Sequence, residues 1–217
     1  MEFINPKKIF GLGTGSTVNF LIHKIHETYI LKGQPINAVS TSSETTSLAT
    51  SLGINIVALD QVDELDVVID GADEVDTENN LIKGGGGALL MEKIVASCSK
   101  QFIIIVDPSK IVSKLGKFPL PVEVVQFGSE RIKEAIERFL ITLGYQMPKV
   151  TFRRSATNKY ETDQHNYILD LHLNEISDPK TLSLGLLQIV GVVEVGLFID
   201  MASKIIIGND DGSCKVI

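Results

Sequence analysis

The chain has 217 residues, of which 44% are hydrophobic and 22% charged, and these proportions exclude a disordered protein. Its formal net charge of −7 argues against nucleic acid as a partner, because a surface that binds phosphates broadly must be basic. The longest apolar runs have the length of a strand, which excludes a membrane span. The N-terminus shows no export signal, which predicts a cytoplasmic protein with Cys98 and Cys214 as free thiols.

The first part of the sequence alternates short apolar runs with helical stretches. The apolar runs are continuous, as expected for strands that are buried on both faces of a parallel sheet. Strands are predicted at 7–13, 36–40, 54–59, 66–70 and 101–107, and helices at 16–31, 43–53 and 86–99. This pattern indicates an α/β fold with a Rossmann-like open parallel sheet and helices on both of its faces.

The second part has a different order of elements, and it follows a segment at 117–124 whose two prolines indicate an extended link. The order strand, helix, strand, strand, helix, strand is typical of a ferredoxin-like α+β domain. Strands are predicted at 122–127, 149–154, 166–173 and 192–199, and helices at 129–144 and 178–190. Two last strands, at 203–208 and 214–217, are expected to rejoin the first sheet. We therefore predict a catalytic domain of residues 1–120 and 200–217 and an inserted domain of residues 121–199.

A glycine-rich turn, Gly11-Leu12-Gly13-Thr14-Gly15-Ser16-Thr17, joins the first strand to the first helix. The backbone N–H groups of such a turn, together with the helix dipole, can bind an anion. The dinucleotide-binding fingerprint would have Gly or Ala at position 16 and an acidic residue closing the second strand, which here ends Ser40-Thr41-Ser42-Ser43. Hydroxyl groups at both places favour a small phosphate ester. A tight strand–helix turn with Ser16 as the N-cap is the alternative.

Two aspartates, Asp70 and Asp73, enclose Gly71 and Ala72 directly after the apolar strand at 66–70. The carboxylate of Asp70 is expected at the carboxyl edge of the sheet, where open α/β folds bind their ligands. Gly71 and Ala72 leave the approach open, and Asp73 can face the same pocket. A helix cap and a solvated turn would explain the two aspartates equally well.

Four consecutive glycines, Gly84 to Gly87, follow Lys83 and precede a predicted helix. Such a run costs backbone entropy, so it indicates a backbone that approaches another group closely; a flexible loop is the alternative. Lys83 supplies a positive charge. Glu92, early in the helix beside apolar residues, is suited to act as a general base. The alternative is a surface glutamate paired with a lysine. Lys110, after the strand at 101–107, can offset the charge of an anionic ligand.

The remaining charged and metal-ligating residues form no motif. His23 and His26 lie three residues apart on a predicted helix, but no other ligand is spaced to complete a metal site with them. Arg153 and Arg154, the densest basic spot, are interpreted as a solvated strand edge.

Taken together, these segments closely resemble type A ribose-5-phosphate isomerases, through GLGTGSTV, TSSETTSLA, DGADEVD, LIKGGGGALLMEK, DPSK and GKFPLPVEV in that order. The resemblance implies reversible aldose–ketose isomerisation of ribose 5-phosphate to ribulose 5-phosphate in the pentose phosphate pathway, with no metal or other cofactor, in a dimer or tetramer. Glu92 matches the proton acceptor of an enediolate mechanism, with Lys83, Asp70 and Asp73 as further catalytic candidates. The phosphate side of the substrate site would be lined by Thr14, Gly15, Ser16 and Thr17. The sugar would be surrounded by Asp70, Gly71, Ala72, Asp73, Lys83, Gly84, Gly85 and Gly86, and contacted by Lys110.

The resemblance leaves two alternatives and two departures, of which the minor one is Gly87 at a position where the family is expected to have Ala. A non-catalytic sugar-phosphate-sensing domain would share the fold and the ligand, and a dinucleotide-dependent oxidoreductase is disfavoured by the hydroxyl-rich end of the second strand. The family usually has a helix before the first strand, with a lysine that helps to hold the phosphate, which Lys7 or Lys8 would have to replace here. The inserted domain contains none of these segments, so we expect it to act as a lid and in self-association rather than in chemistry.

Overall fold

The strands of the chain form two large and two small sheets in a computed structural model, which describes residues 1–217. Five α-helices accompany them: α1 (Ser16–Thr28), α2 (Ser43–Ser51), α3 (Leu89–Ser97), α4 (Ser129–Thr142) and α5 (Pro179–Leu187). The strands are β1 (Phe10–Leu12), β2 (Asn37–Ser40), β3 (Asn55–Ile56), β4 (Val68–Asp70), β5 (Glu74–Val75), β6 (Leu81–Ile82), β7 (Phe102–Val106), β8 (Leu120–Val124), β9 (Lys149–Phe152), β10 (Arg154–Ser155), β11 (Asn158–Lys159), β12 (Tyr167–His172), β13 (Val192–Val195), β14 (Leu197–Phe198), β15 (Lys204–Gly208) and β16 (Cys214–Val216).

The chain divides into two units. The first unit comprises Met1–Ala72, Met91–Pro108 and Met201–Ile217, and the second comprises Asp73–Leu90 and Ser109–Asp200. None of the helices combines the length and the apolar character that crossing a bilayer requires.

The first unit is built on a seven-stranded sheet in the order β16-β15-β7-β4-β1-β2-β3. All neighbouring pairs are parallel except β15 with β16, which confirms both the predicted parallel sheet and the return of the last two strands to it. Apolar residues of α1 at helical spacing, Val18, Ile22 and Ile25, are fully buried in its core. Burial of such a stripe is the main source of stability for a helix on a sheet.

The second unit contains a four-stranded antiparallel sheet in the order β13-β8-β12-β9. With α4 after β8 and α5 after β12, this is the ferredoxin-like arrangement that the order of predicted elements indicates. Helix α4 buries Ile132, Ile136 and Leu140, which are spaced by four residues and form one apolar stripe on the helix.

The segment at 192–199, predicted as one strand, forms two strands in different sheets. β13 belongs to the four-stranded sheet, and β14 belongs to a small sheet in the order β14-β6-β5. Gly196 lies between them, where its N–H donates to the Pro121 carbonyl (2.8 Å) and its carbonyl accepts from the Lys83 N–H (2.9 Å). A Cβ atom at Gly196 would lie 2.3 Å from the Lys83 carbonyl oxygen, so only glycine permits this change of sheet.

Other boundaries also differ from the sequence-based expectation, among them those of one strand and one helix of the first part of the chain. The strand predicted at 54–59 is limited to β3 and is followed by a 3-10 helix at Leu59–Gln61. The helix predicted at 86–99 begins only at Leu89, so all four glycines lie outside it. Glycine is the poorest helix former after proline, and this explains the later start.

A buried carboxyl group, that of Glu123, lies inside the four-stranded sheet on β8. Its Oε1 accepts hydrogen bonds from Thr162 Oγ1 (2.8 Å) and Asn166 Nδ2 (3.0 Å). Burial raises the pKa of Glu123, and the nearby charge of Glu194 raises it further. The hydrogen bonds from Asn166 and Thr162 lower the pKa, but they do not cancel the rise. The folded state therefore favours the protonated form of this group.

Replacing Glu123 with glutamine should change how the stability of the protein depends on pH. Because folding raises the pKa of Glu123, the wild type loses stability as the pH rises from the ordinary glutamate pKa through the raised value. Glu123→Gln cannot ionise, so its free energy of unfolding should lack this loss. Urea denaturation at mildly acidic to mildly basic pH measures the effect, with Glu134→Gln, at a half-exposed glutamate on α4, as the control. Parallel pH dependence in Glu123→Gln and the wild type would contradict the assignment.

Candidate active site

The glycine-rich turn of the first unit follows β1, where the order of the sheet changes direction. From β1 the chain continues outward through β2 and β3 and then returns to β4 on the other side of β1. The carboxyl ends of such neighbouring strands form the crevice in which open α/β sheets bind ligands. Gly15 is the N-cap of α1 and has a positive φ of 106°, so the alternative with Ser16 as the N-cap is wrong.

Hydroxyl groups gather at the carboxyl ends of β1 and β2. Thr14 Oγ1 lies 2.8 Å from Thr41 Oγ1 and 2.9 Å from Ser42 Oγ. Thr45 Oγ1 donates to the Gly13 carbonyl (2.8 Å), and Ser42 caps α2 by accepting from the Thr45 N–H (3.0 Å). The hydroxyl-rich sequence 40–43 indicated part of this cluster, but the role of Thr45 in joining the two turns had no local signal.

Asp70 is a fully buried carboxylate at the end of β4. Its Oδ1 accepts hydrogen bonds from the N–H groups of Thr14 (3.0 Å) and Gly71 (2.7 Å). A Cβ atom at Gly13 would lie 2.0 Å from Asp70 Cγ. Residue 13 must therefore be glycine for the side chain of Asp70 to fit. The predicted neighbourhood of the glycine turn and Asp70 is therefore present.

Glu92 lies in the first turn of α3 and belongs to the first unit. Its side chain is buried, with 3% of the residue exposed. This burial excludes the alternative in which Glu92 is a surface glutamate.

Asp73 and Lys83 belong to the second unit, at the start of β5 and directly after β6. The Asp73 N–H donates to the Ile82 carbonyl (2.8 Å), and Asp73 Oδ2 accepts from the Gly85 N–H (2.8 Å). Burial raises the pKa of Asp73, although the Gly85 N–H and the charges of Lys83, Lys110 and Arg153 oppose it. Lys83 is itself buried, with Nζ 5.5 Å from the centre of the Phe198 ring.

The glycine loop, Gly84 to Gly87, is a tight turn closed by a hydrogen bond from the Gly87 N–H to the Gly84 carbonyl (3.0 Å). Gly84 and Gly87 have positive φ angles of 105° and 83°, which explains the glycine at both ends. Side chains at 153 and 160 bind the carbonyls of this loop. The loop is thus held by hydrogen bonds, and the flexible-loop alternative is wrong.

The predicted site residues are divided between the two units. The first unit carries the glycine turn and one set of acidic residues: Thr14, Gly15, Ser16, Thr17, Asp70, Gly71, Ala72 and Glu92. The second carries Asp73, Lys83, Gly84, Gly85, Gly86 and Lys110, the last at the end of a 3-10 helix. No group of three or more His, Cys, Asp or Glu side chains is placed to hold a metal ion.

Neither lysine near the N-terminus lies at the carboxyl edge of the sheet. Lys7 and Lys8 precede β1, and Lys8 Nζ is paired with Asp66 (2.7 Å), which precedes β4. Lys8 therefore lies at the amino ends of these strands, opposite the glycine turn, and does not replace a phosphate-binding lysine.

Comparisons with known proteins agree with this arrangement. A family model described as ribose 5-phosphate isomerase A (phosphoriboisomerase A) matches residues 37–212. A ribose-5-phosphate isomerase A of Cereibacter sphaeroides is 49% identical over 216 residues, which are 100% of this chain and 86% of the relative. One from Streptococcus pneumoniae is 49% identical over 211 residues, which are 97% of this chain and 90% of the relative.

Solved structures give the same result. Ribose 5-phosphate isomerase from Plasmodium falciparum has a TM-score of 0.93 at 34% identity, and the match covers 100% of this chain and 92% of the other. A D-ribose-5-phosphate isomerase in complex with phospho-erythronic acid has a TM-score of 0.89 at 38% identity, covering 100% and 93% of the two chains.

Proposed function

The chain belongs to the ribose 5-phosphate isomerase A family, and we propose that Glu92 carries the proton in its interconversion of ribose 5-phosphate and ribulose 5-phosphate. The observation that carries this proposal is a buried carboxylate in the first turn of α3, a few residues after Lys83 and the glycine loop. The complex of a solved relative with phospho-erythronic acid, a phosphorylated sugar acid, supports a sugar phosphate as the substrate.

The reaction needs one group that moves a proton between two neighbouring carbons. Glu92 removes the proton from C2 of the aldose, and the electron pair of that bond forms the C1–C2 double bond of an enediolate while the C1 carbonyl oxygen takes up negative charge. Return of the proton to C1, with transfer of the O2 proton to O1, leaves the carbonyl at C2. A single carboxylate above both carbons therefore serves as base and then as acid.

The enediolate oxygen needs hydrogen-bond donors that are already in place. Lys83 and the N–H group of Gly86 are the candidates, because Lys83 is buried and the loop is held by hydrogen bonds from Arg153 and Tyr160 to its carbonyls. Donors that need no reorganisation stabilise a developing oxyanion more than water does. Lys110 contributes a further positive charge to the binding of the sugar.

The two aspartates take different roles in this proposal. Asp70 is held by two N–H groups through Oδ1, which suits it to orient substrate hydroxyls. Burial raises the pKa of Asp73, which suits it to donate a proton to the ring oxygen when the furanose opens. The phosphate would lie at the turn of Thr14, Gly15, Ser16 and Thr17, where helix α1 presents its N-terminus.

The alternative functions lack an observation in their favour. A sensing domain that only binds a sugar phosphate has no use for the buried Glu92. A dinucleotide-dependent oxidoreductase would need an acidic residue at the end of β2, where Thr41 and Ser42 contact Thr14 instead.

Glu92→Gln should preserve the shape of the side chain and remove the base. We expect the turnover of ribose 5-phosphate to fall by at least roughly 10²–10⁴-fold, because general base catalysis is lost while the fold is kept. A coupled assay of ribulose 5-phosphate formation measures this, with the exposed Glu27→Gln as the control. Near-normal activity in Glu92→Gln would move the proton acceptor to Asp70 or Asp73.

Lys83→Ala should lower kcat as well as affinity, since a donor to the enediolate acts mainly in the transition state. Steady-state kinetics with ribose 5-phosphate separates the two effects. Lys114→Ala, at an exposed lysine of the same unit, is the control and should match the wild type. A rise in KM with unchanged kcat would make Lys83 a ground-state contact to the sugar.

We further propose that residues 1–120 and 200–217 act as the catalytic domain and that residues 121–199 act as a lid and in self-association, in a dimer or tetramer. Three apolar side chains of that segment, Phe127, Met147 and Val190, are more than nine-tenths exposed, which suits a surface that another copy covers. We also propose a cytoplasmic location, which its two free cysteines suit.

Light scattering at micromolar concentration tests the association. The expected mass is at least twice the 23.7 kDa of one chain, because symmetric pairing is the commonest way to cover such a surface. A monomer mass together with full activity would contradict the proposal.

A further inference from the structure

Two side chains of the second unit, one between β9 and β10 and one directly after β11, hold three successive carbonyls of the glycine loop. Arg153 Nη1 donates to the carbonyls of Gly84 (2.6 Å) and Gly85 (3.0 Å). Tyr160 Oη donates to the carbonyl of Gly86 (3.3 Å). The loop lies 68 to 74 residues away from them in sequence, so these contacts are formed only by the fold.

The arginine is itself fixed in place by the sheet. Its guanidinium makes a two-point ion pair with Asp170, from Nε to Oδ2 (3.1 Å) and from Nη2 to Oδ1 (2.6 Å). The Arg153 N–H donates to the Ile168 carbonyl and the Tyr160 N–H donates to the Arg153 carbonyl, both at 2.8 Å. Only 14% of the Arg153 side chain and 17% of the Asp170 side chain are exposed, so solvent screens the pair little.

Holding a carbonyl also fixes the direction of the next N–H group. In a trans peptide the C=O of one residue and the N–H of the next point in opposite directions, and the chain has no cis peptide bond. Arg153 therefore directs the N–H groups of Gly85 and Gly86 away from itself. The Gly85 N–H donates to Asp73 Oδ2 (2.8 Å), as this geometry requires.

We propose that Arg153 is a positioning residue for the isomerisation, which acts through the peptide groups of Gly84 to Gly86 and is itself oriented by Asp170. This inference rests on the proposed function, in which the N–H group of Gly86 donates to the enediolate and that of Gly85 holds Asp73. Glycine has no side chain that could hold these peptides, so an external partner must set their direction. Displacing a hydrogen-bond donor by a fraction of an ångström weakens its bond to the enediolate in the transition state more than its bond to the substrate in the ground state.

The decisive variant is Arg153→Met, which keeps the length of the side chain and removes its five donors. We expect kcat for ribose 5-phosphate to fall on the order of 10²-fold, with a much smaller change in KM. Arg154→Met is the matched control, because the neighbouring Arg154 is exposed and bonds only to the Thr157 carbonyl of its own hairpin. The control should keep wild-type kinetics.

A merely structural role is distinguished by two further measurements. Guanidinium chloride at a concentration that does not denature the protein should restore part of the kcat of Arg153→Ala and leave Arg154→Ala unchanged. Arg153→Lys keeps the charge and the fold but lacks the planar fork, so its kcat should also fall, by about 10-fold or more. Circular dichroism and thermal melting establish that each variant is folded, and Arg153→Lys carries the test if Arg153→Met does not fold.

The outcomes separate this inference from the proposed function. A wild type and an Arg154→Met variant that both fail to convert ribose 5-phosphate would overturn the proposed function. Full kcat in Arg153→Met or in Arg153→Lys, with an active wild type, would overturn only the role of Arg153. A change confined to KM would likewise overturn it, since the loop would then contribute to ground-state binding alone.

Discussion

A run of four glycines cannot fix its own conformation, and this constraint governs how the rest of the second unit's functional residues are arranged. The loop takes its shape from polar partners: Asp73 accepts from the N–H of Gly85, and Arg153 and Tyr160 bind the carbonyls. Lys83 stands directly before the loop, and α3, which carries Glu92, begins two residues after it. The conformation of the loop therefore depends on contacts that glycines cannot supply.

Buried charge is the second constraint, and the chain meets it in two ways. Glu74 is satisfied entirely by backbone, since its two oxygens accept from the N–H groups of Gly116 (2.7 Å) and Phe118 (2.6 Å). Asp70, which also accepts from two backbone N–H groups, and Lys83 lie at the carboxyl ends of β4 and β6. A buried charge rarely adds stability over an apolar side chain of similar size. Charge at these strand ends is therefore explained better by chemistry than by folding.

Sequence patterns predicted the elements whose signal is local and continuous. The strands of the parallel sheet could be predicted because strands that are buried on both faces are continuously apolar. Strands β5 and β6 were missed because they have two residues each, and the break at Gly196 was missed because its cause is the distant Lys83 carbonyl. The fold class could therefore be predicted from local apolar runs, whereas the change of sheet at Gly196 could not.

The same difference explains what was found of the candidate site. Asp70 and Glu92 belong to contiguous motifs, so their segments could be recognised in the sequence. Arg153 could not: Arg154 is indeed exposed, but Arg153 beside it is largely buried in an ion pair. Its role depends on the guanidinium plane, in which Nε and Nη2 serve Asp170 while Nη1 serves two carbonyls. The four-stranded sheet fixes the guanidinium of Arg153, and the guanidinium fixes the direction of the loop peptides. A lysine could not replace it, because an ammonium group has no such plane.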